Sequence, residues 1–136
     1  MSLITWSEKY SVGINTVDTQ HKKLIYLINE LNAALKDGRG DEVISKTITE
    51  LIAYTQYHFT TEEKFFKQTG YPEFDEHKME HEQFVKNVTG YADEFAKKKS
   101  LALAIEVSNF LWTWLSSHIL TIDKKYAPWL IEHGVK

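Results

Sequence analysis

Residues 57–66, YHFTTEEKFF, decide how this chain is read. Apolar side chains recur in the segment at helical spacing, yet His58 and Glu62 fall on the same stripe, one turn apart, where aliphatic groups belong. Following the stripe upstream by threes and fours collects Ile44, Ile48, Leu51 and Thr55, and downstream it reaches Phe65. The spacing predicts a long amphipathic helix ending before Gly70 and Pro72. An imidazole and a carboxylate on its buried face require partners, since burying such groups unpaired costs on the order of several kcal/mol each.

Three further stripes of the same period surround this one. The first holds His21, Leu24, Ile28, Leu31 and Leu35, with Asp18 expected as its N-cap and Gly38 as its C-terminal stop. Another holds His77, His81, Phe84, Val88, Tyr91 and Phe95 and closes at lysines 97–99, whose charges suit a helix C-terminus. The last is capped by Ser100 and holds Ala104, Val107, Leu111, Trp114 and His118. Residues 1–17 read as an extended arm whose Trp6, Val12, Ile14 and Val17 lie over the helical body, and a short helix follows around Trp129 and Leu130. The expected fold is all-α, an antiparallel up-down-up-down four-helix bundle with an N-terminal arm and a short C-terminal helix, formed by residues 1–136 as a single domain. Because neighbours alternate in direction, His21, His58, His77 and His118 arrive at one end of the bundle.

Composition narrows the chemistry. A chain of 136 residues suffices for one hydrophobic core, and with no cysteine any metal must be held by nitrogen and oxygen. The net charge of −3, with lysines and glutamates interspersed, offers no basic face to nucleic acid. The opening residues lack the pattern of a secretory leader and no apolar run approaches a membrane span, so a cytoplasmic protein with no membrane association is expected.

The polar layer collects His21, His58, Glu62, His77, His81, His118 and Asp123. The pairs 58/62 and 77/81 are spaced so that both side chains share a helix face and can grip one centre. The interval from His118 to Asp123 is different: five residues advance a regular helix by about 500°, leaving Asp123 about 140° away, so an irregular turn is predicted there. Seven donors exceed what one first-row ion holds and point to two ions bridged by Glu62 and Asp123. With a shared oxygen bridge, the set falls one bond short of filling two six-coordinate ions, leaving an open position on the ion with fewer histidines. Imidazole suits several metals, so the residues alone do not select iron. A histidine-rich, carboxylate-poor set favours binding dioxygen over activating it.

His21, the HxxxE at 58–62, the HxxxH at 77–81 and the HxxxxD at 118–123, together with DTQHK at 18–22, GYPEFDEHKMEH at 70–81 and KKYAPWL near the end, resemble the hemerythrins, in particular the single-domain bacterial members. The resemblance implies one iron held by His77, His81 and His118 and another by His21 and His58, bridged by Glu62, Asp123 and an oxo or hydroxo group. It implies dioxygen as the ligand, held as a hydroperoxide at the two-histidine iron, in a pocket lined by Leu24, Phe59, Trp114, Leu115 and Ile119 that excludes water. Reversible oxygen storage, delivery or buffering without catalysis, by a monomer, is the expectation. A di-iron peroxide or nitric oxide reductase, or an oxygen or redox sensor acting through a separate partner, is the alternative. His133 is expected to lie outside the site; Trp6, Trp112 and Trp129 are read as packing, and Tyr54, Tyr57 and Tyr126 as structural, with hydrogen bonding near the site or electron donation as their alternative roles.

Overall fold

The computed structural model describes residues 4–135. Among them, helices α1 (Asn15–Asp37), α2 (Asp41–Thr69), α3 (Phe74–Lys98) and α4 (Leu101–Ser117) form the bundle. Packing of α1 on α2, α2 on α3, α3 on α4 and α4 back on α1 closes the up-down-up-down arrangement that short connections require. A π-helical segment, His118–Asp123, joins α4 to the short helix α5 (Lys124–Glu132). Among the described residues no helix is long and apolar enough to cross a membrane.

The stops fall where the sequence puts them. Gly38 and Gly70 end α1 and α2 in the left-handed conformation that glycine adopts without a Cβ penalty. Ser100 caps α4, its side chain accepting from the Leu103 N–H. The start of α1 is a correction: the helix begins at Asn15, so Asp18 is not its N-cap. The Asp18 carboxylate instead accepts from the Ser11 hydroxyl at 2.5 Å and the Val12 N–H at 2.8 Å, tying down the segment before the helix. That segment is less extended than expected, with a 3-10 turn at Glu8–Tyr10; residues 1–3 of the expected arm lie outside the described residues. Val12, Ile14 and Val17 are nevertheless buried, and Tyr10 packs between Trp6 and Trp112.

The core has two parts. The larger is built from all four bundle helices, including Leu24, Ile28, Leu31, Ile48, Leu51, Phe84, Val88, Leu111 and Leu115. The smaller joins Val12, Ile14 and Val17 to Phe66, Tyr71, Tyr126, Ala127 and Leu130. Phe66, fully buried, takes the place the stripe assigned to Phe65, which is half-buried. Both lie near the direction of Glu62, and Phe66 is one i,i+4 step beyond it; the arm and α5 close over that side.

Candidate metal centre

All seven predicted polar residues converge between the two apolar clusters, and each is at most 5 % exposed. His58 and Glu62 come from one face of α2, and His77 and His81 from one face of α3, as the i,i+4 spacing dictates. His21 comes from α1. The π-helical segment supplies both His118 and Asp123, its wider turn absorbing the extra residue and returning Asp123 to the layer.

The donor atoms fall into two groups, Glu62 with His77, His81 and His118, and His21 with His58, Glu62 and Asp123, the atoms of each lying within 4.8 Å of one another. Asp123 spans both. Its Oδ2 is 3.1 Å from His21 Nε2, and its Oδ1 is 3.0 Å from His118 Nε2 and 3.5 Å from His77 Nε2. Glu62 Oε1 is 3.2 Å from His81 Nε2 and 3.5 Å from His58 Nε2, while its Oε2 accepts from the Tyr126 hydroxyl. Tyr126 thus takes the hydrogen-bonding alternative, whereas Tyr57 is exposed and Tyr54, beside it, is half-buried.

Ordinary polar packing does not satisfy this layer. Glu62 Oε1, His81 Nε2 and both Asp123 oxygens are buried with no hydrogen-bond partner among the described residues, and imidazole nitrogens face each other at 3.1 Å (His21 and His58) and 3.2 Å (His77 and His118). Lone pairs converging from nitrogen and oxygen donors in a dry core are what a metal ion satisfies, so the residues present fit a two-metal centre. Electrostatics favours the same donors. Burial pulls the His58 pKa down to about 4, keeping the ring neutral near pH 7. Burial alone would raise the carboxylates, but His58, with His77 and His81 close by, holds Glu62 well below the usual range, and the neighbouring His118 and His21 hold Asp123 at about 2. Burial, with Asp123 and Glu62 nearby, pushes the Tyr126 phenol well up, so it remains a donor.

A family model, the hemerythrin HHE cation binding domain, matches residues 12–130. The chain belongs to the hemerythrin family. This hemerythrin is 32% identical to the bacteriohemerythrin of Stenotrophomonas maltophilia (strain R551-3), over 98% of this chain and 85% of that protein. It is equally 32% identical to the bacteriohemerythrin of Methylococcus capsulatus (strain Bath), over 96% and 98% of the two chains. A crystal structure of wild-type hemerythrin superposes with a TM-score of 0.86 at 29% identity, covering 95% of this chain and 98% of that one.

The five residues expected to line a pocket in this hemerythrin all belong to the larger core or pack against it. Leu24, Phe59, Leu115 and Ile119 are buried and Trp114 is half-buried. Phe59 stacks on His81 at 3.7 Å between centroids and Trp114 on His118 at 4.3 Å, an apolar wall against the imidazoles. His133 lies outside the layer, stacked on Trp129, with its Nδ1 donating to the Trp129 carbonyl.

The sequence reading missed the residues that hold the outer ring nitrogens. His58 Nδ1 donates to Gln20 Oε1 at 2.6 Å, and the Gln20 amide is oriented by its donation to Thr61 Oγ1. His81 Nδ1 donates to Glu63 Oε2 at 3.1 Å, and Glu80 Oε2 lies 3.6 Å from His118 Nδ1. Each serves the next helix round the bundle. Gln20 immediately precedes His21 on α1, Glu63 follows Glu62 on α2, and Glu80 precedes His81 on α3; the offset changes sign because the helices alternate in direction, and one residue turns the side chain about 100° towards its neighbour. With Nδ1 protonated, the Nε2 lone pair of His58 and of His81 is left facing the layer.

Proposed function

We propose that the seven residues hold two iron ions, with His77, His81 and His118 on one, His21 and His58 on the other, and Glu62 and Asp123 bridging them beside an oxygen atom, and that the protein binds dioxygen reversibly. The observation that carries this reading is the set of buried, unsatisfied donor atoms, gathered in two groups that share Glu62. Membership of the hemerythrin family and likeness to proteins named bacteriohemerythrin support iron and dioxygen over other metals and ligands. When bound, a ferrous pair supplies the electrons that dioxygen needs to be held reversibly.

The chain's own residues do the rest. His21 and His58 would give their ion one imidazole fewer than the other, which would leave room there for a small ligand. Leu24, Leu115 and Ile119 keep water and anions from that side, which slows oxidation of the pair. Gln20 and Glu63 hold the tautomers of His58 and His81. Tyr126 holds Glu62 through one oxygen, leaving the other towards the imidazoles.

Anaerobic reconstitution with ferrous iron, metal analysis and visible spectra through cycles of oxygen addition and removal test the proposal. Two irons per chain with an absorption band that appears and vanishes are expected. A spectrum that locks into the ferric form after the first cycle overturns reversible binding in favour of reductase or redox-sensing chemistry.

A further inference from the structure

The ring of outer partners around the metal layer is unequal, and its inequality follows the two donor groups. Around the three-histidine group two of the three rings face carboxylates, Glu63 on His81 Nδ1 at 3.1 Å and Glu80 at 3.6 Å from His118 Nδ1, while His77 has neither. Around the two-histidine group, His58 has the neutral amide of Gln20 at 2.6 Å, and His21 Nδ1 is buried with no hydrogen-bond partner among the described residues. Continuing the alternating offsets to the strand of chain that carries His118 brings the fourth place to Ile119, a fully buried apolar residue, so the ring is broken opposite His21.

An imidazole whose Nδ1–H is bonded to a carboxylate is a stronger base at Nε2 than one bonded to an amide, and an imidazole with no partner is the weakest and least firmly oriented. Glu80 adds less than Glu63, since its distance exceeds a hydrogen bond. The three-histidine group thus has the greater number of imidazoles and all of the charged support.

We infer that the two metal positions fill in a fixed order, the His77–His81–His118 position first, with Glu63 as the residue that sets its lead and Gln20 as the residue that keeps the His21–His58 position weak. This rests on the reading of the layer as a two-metal centre. A positioning role follows for both residues: neither touches the metal, and each acts through a ring nitrogen. The exchangeable ion is then the one on the two-histidine side, where the small ligand is proposed to bind.

Anaerobic titration of the full chain with cobalt(II) against a chromophoric chelator, with visible spectra of the bound ion at each step, tests the order. Wild type is expected to take two ions in steps separated tenfold or more in affinity. Repulsion between two cations separates steps as well, so the variants decide. Glu63→Gln is expected to weaken the tighter step by about ten- to hundredfold, with a changed cobalt spectrum for the first ion and the weaker step unmoved. Gln20→Glu is expected to tighten the weaker step and narrow the gap, and it keeps the test open if Glu63→Gln does not fold, as judged by far-UV circular dichroism. Two ions bound in wild type, with Glu63→Gln altering both steps equally or only the weaker, or with Gln20→Glu leaving the weaker step unchanged, overturn the order. Failure of wild type to bind two ions overturns the two-metal reading itself.

Discussion

His58 uses its two ring nitrogens on opposite sides: Nδ1 donates outward to Gln20, while Nε2 faces Glu62 and His21. His58→Ala is therefore expected to lose the ion of the two-histidine position and reversible oxygen binding together while the helices persist. Metal analysis and oxygen titration beside far-UV circular dichroism check this, and retained oxygen binding refutes the assignment. Tyr126→Phe removes the donor to a buried Glu62 oxygen and should cost about 1.5–3 kcal/mol of stability in a urea titration. A denaturation midpoint equal to wild type would show that the contact contributes nothing. Leu115 is buried in the core three residues before His118, so Leu115→Ala should cost about 2–5 kcal/mol and, by admitting water, speed autoxidation of the iron-loaded protein. An autoxidation rate equal to wild type would remove Leu115 from the pocket.

At the scale of elements, the π-helical segment converts a spacing that a regular helix cannot use into a shared site. Its wider turn absorbs the extra residue and so keeps His118 and Asp123 on one side. Deleting the exposed Thr121 leaves a four-residue interval, about 400° of regular helix, so Asp123 still faces the layer to within about 40°. Retention of metal stoichiometry is expected, and loss of one ion would mean that the π geometry itself aims the carboxylate. The end of α3 carries a cost of another kind. Lys99 holds φ at 49°, a left-handed conformation that a side chain disfavours, although Lys97 and Lys98 in the last turn complement the helix dipole. Lys99→Gly is expected to stabilise the protein by roughly 1 kcal/mol in thermal or urea unfolding, and destabilisation would show that the lysine side chain matters more than its backbone strain.

For the whole molecule, the polar layer lies between two apolar clusters, one made by the bundle and one closed by the N-terminal arm, the end of α2 and α5. Such a layer weakens the fold unless its donors are satisfied, so the iron-loaded protein should unfold at a clearly higher temperature than chelator-treated protein. An ion present at a thousandfold over its Kd contributes about 4 kcal/mol by mass action, and equal melting temperatures in calorimetry would contradict the two-metal reading. Much of this arrangement was legible in sequence. The shared faces of His58 with Glu62 and His77 with His81 are local consequences of the helical period, and the mismatch between His118 and Asp123 announced an irregular turn without any knowledge of the fold. The alternation of four helices carried the histidines to one end. Gln20, Glu63 and Glu80 were not legible as partners, because which neighbour a residue beside the stripe meets depends on the hand in which the bundle turns. Periodicity is the same for either hand. Likewise Phe66 displaced Phe65, and Asp18 turned from helix cap to anchor, because the arm and α5 close over the end of the bundle. The chain's local periodicity thus determined which side chains face inward and what chemistry they bring; only the tertiary structure decided what stands behind each imidazole, since that contact crosses between helices.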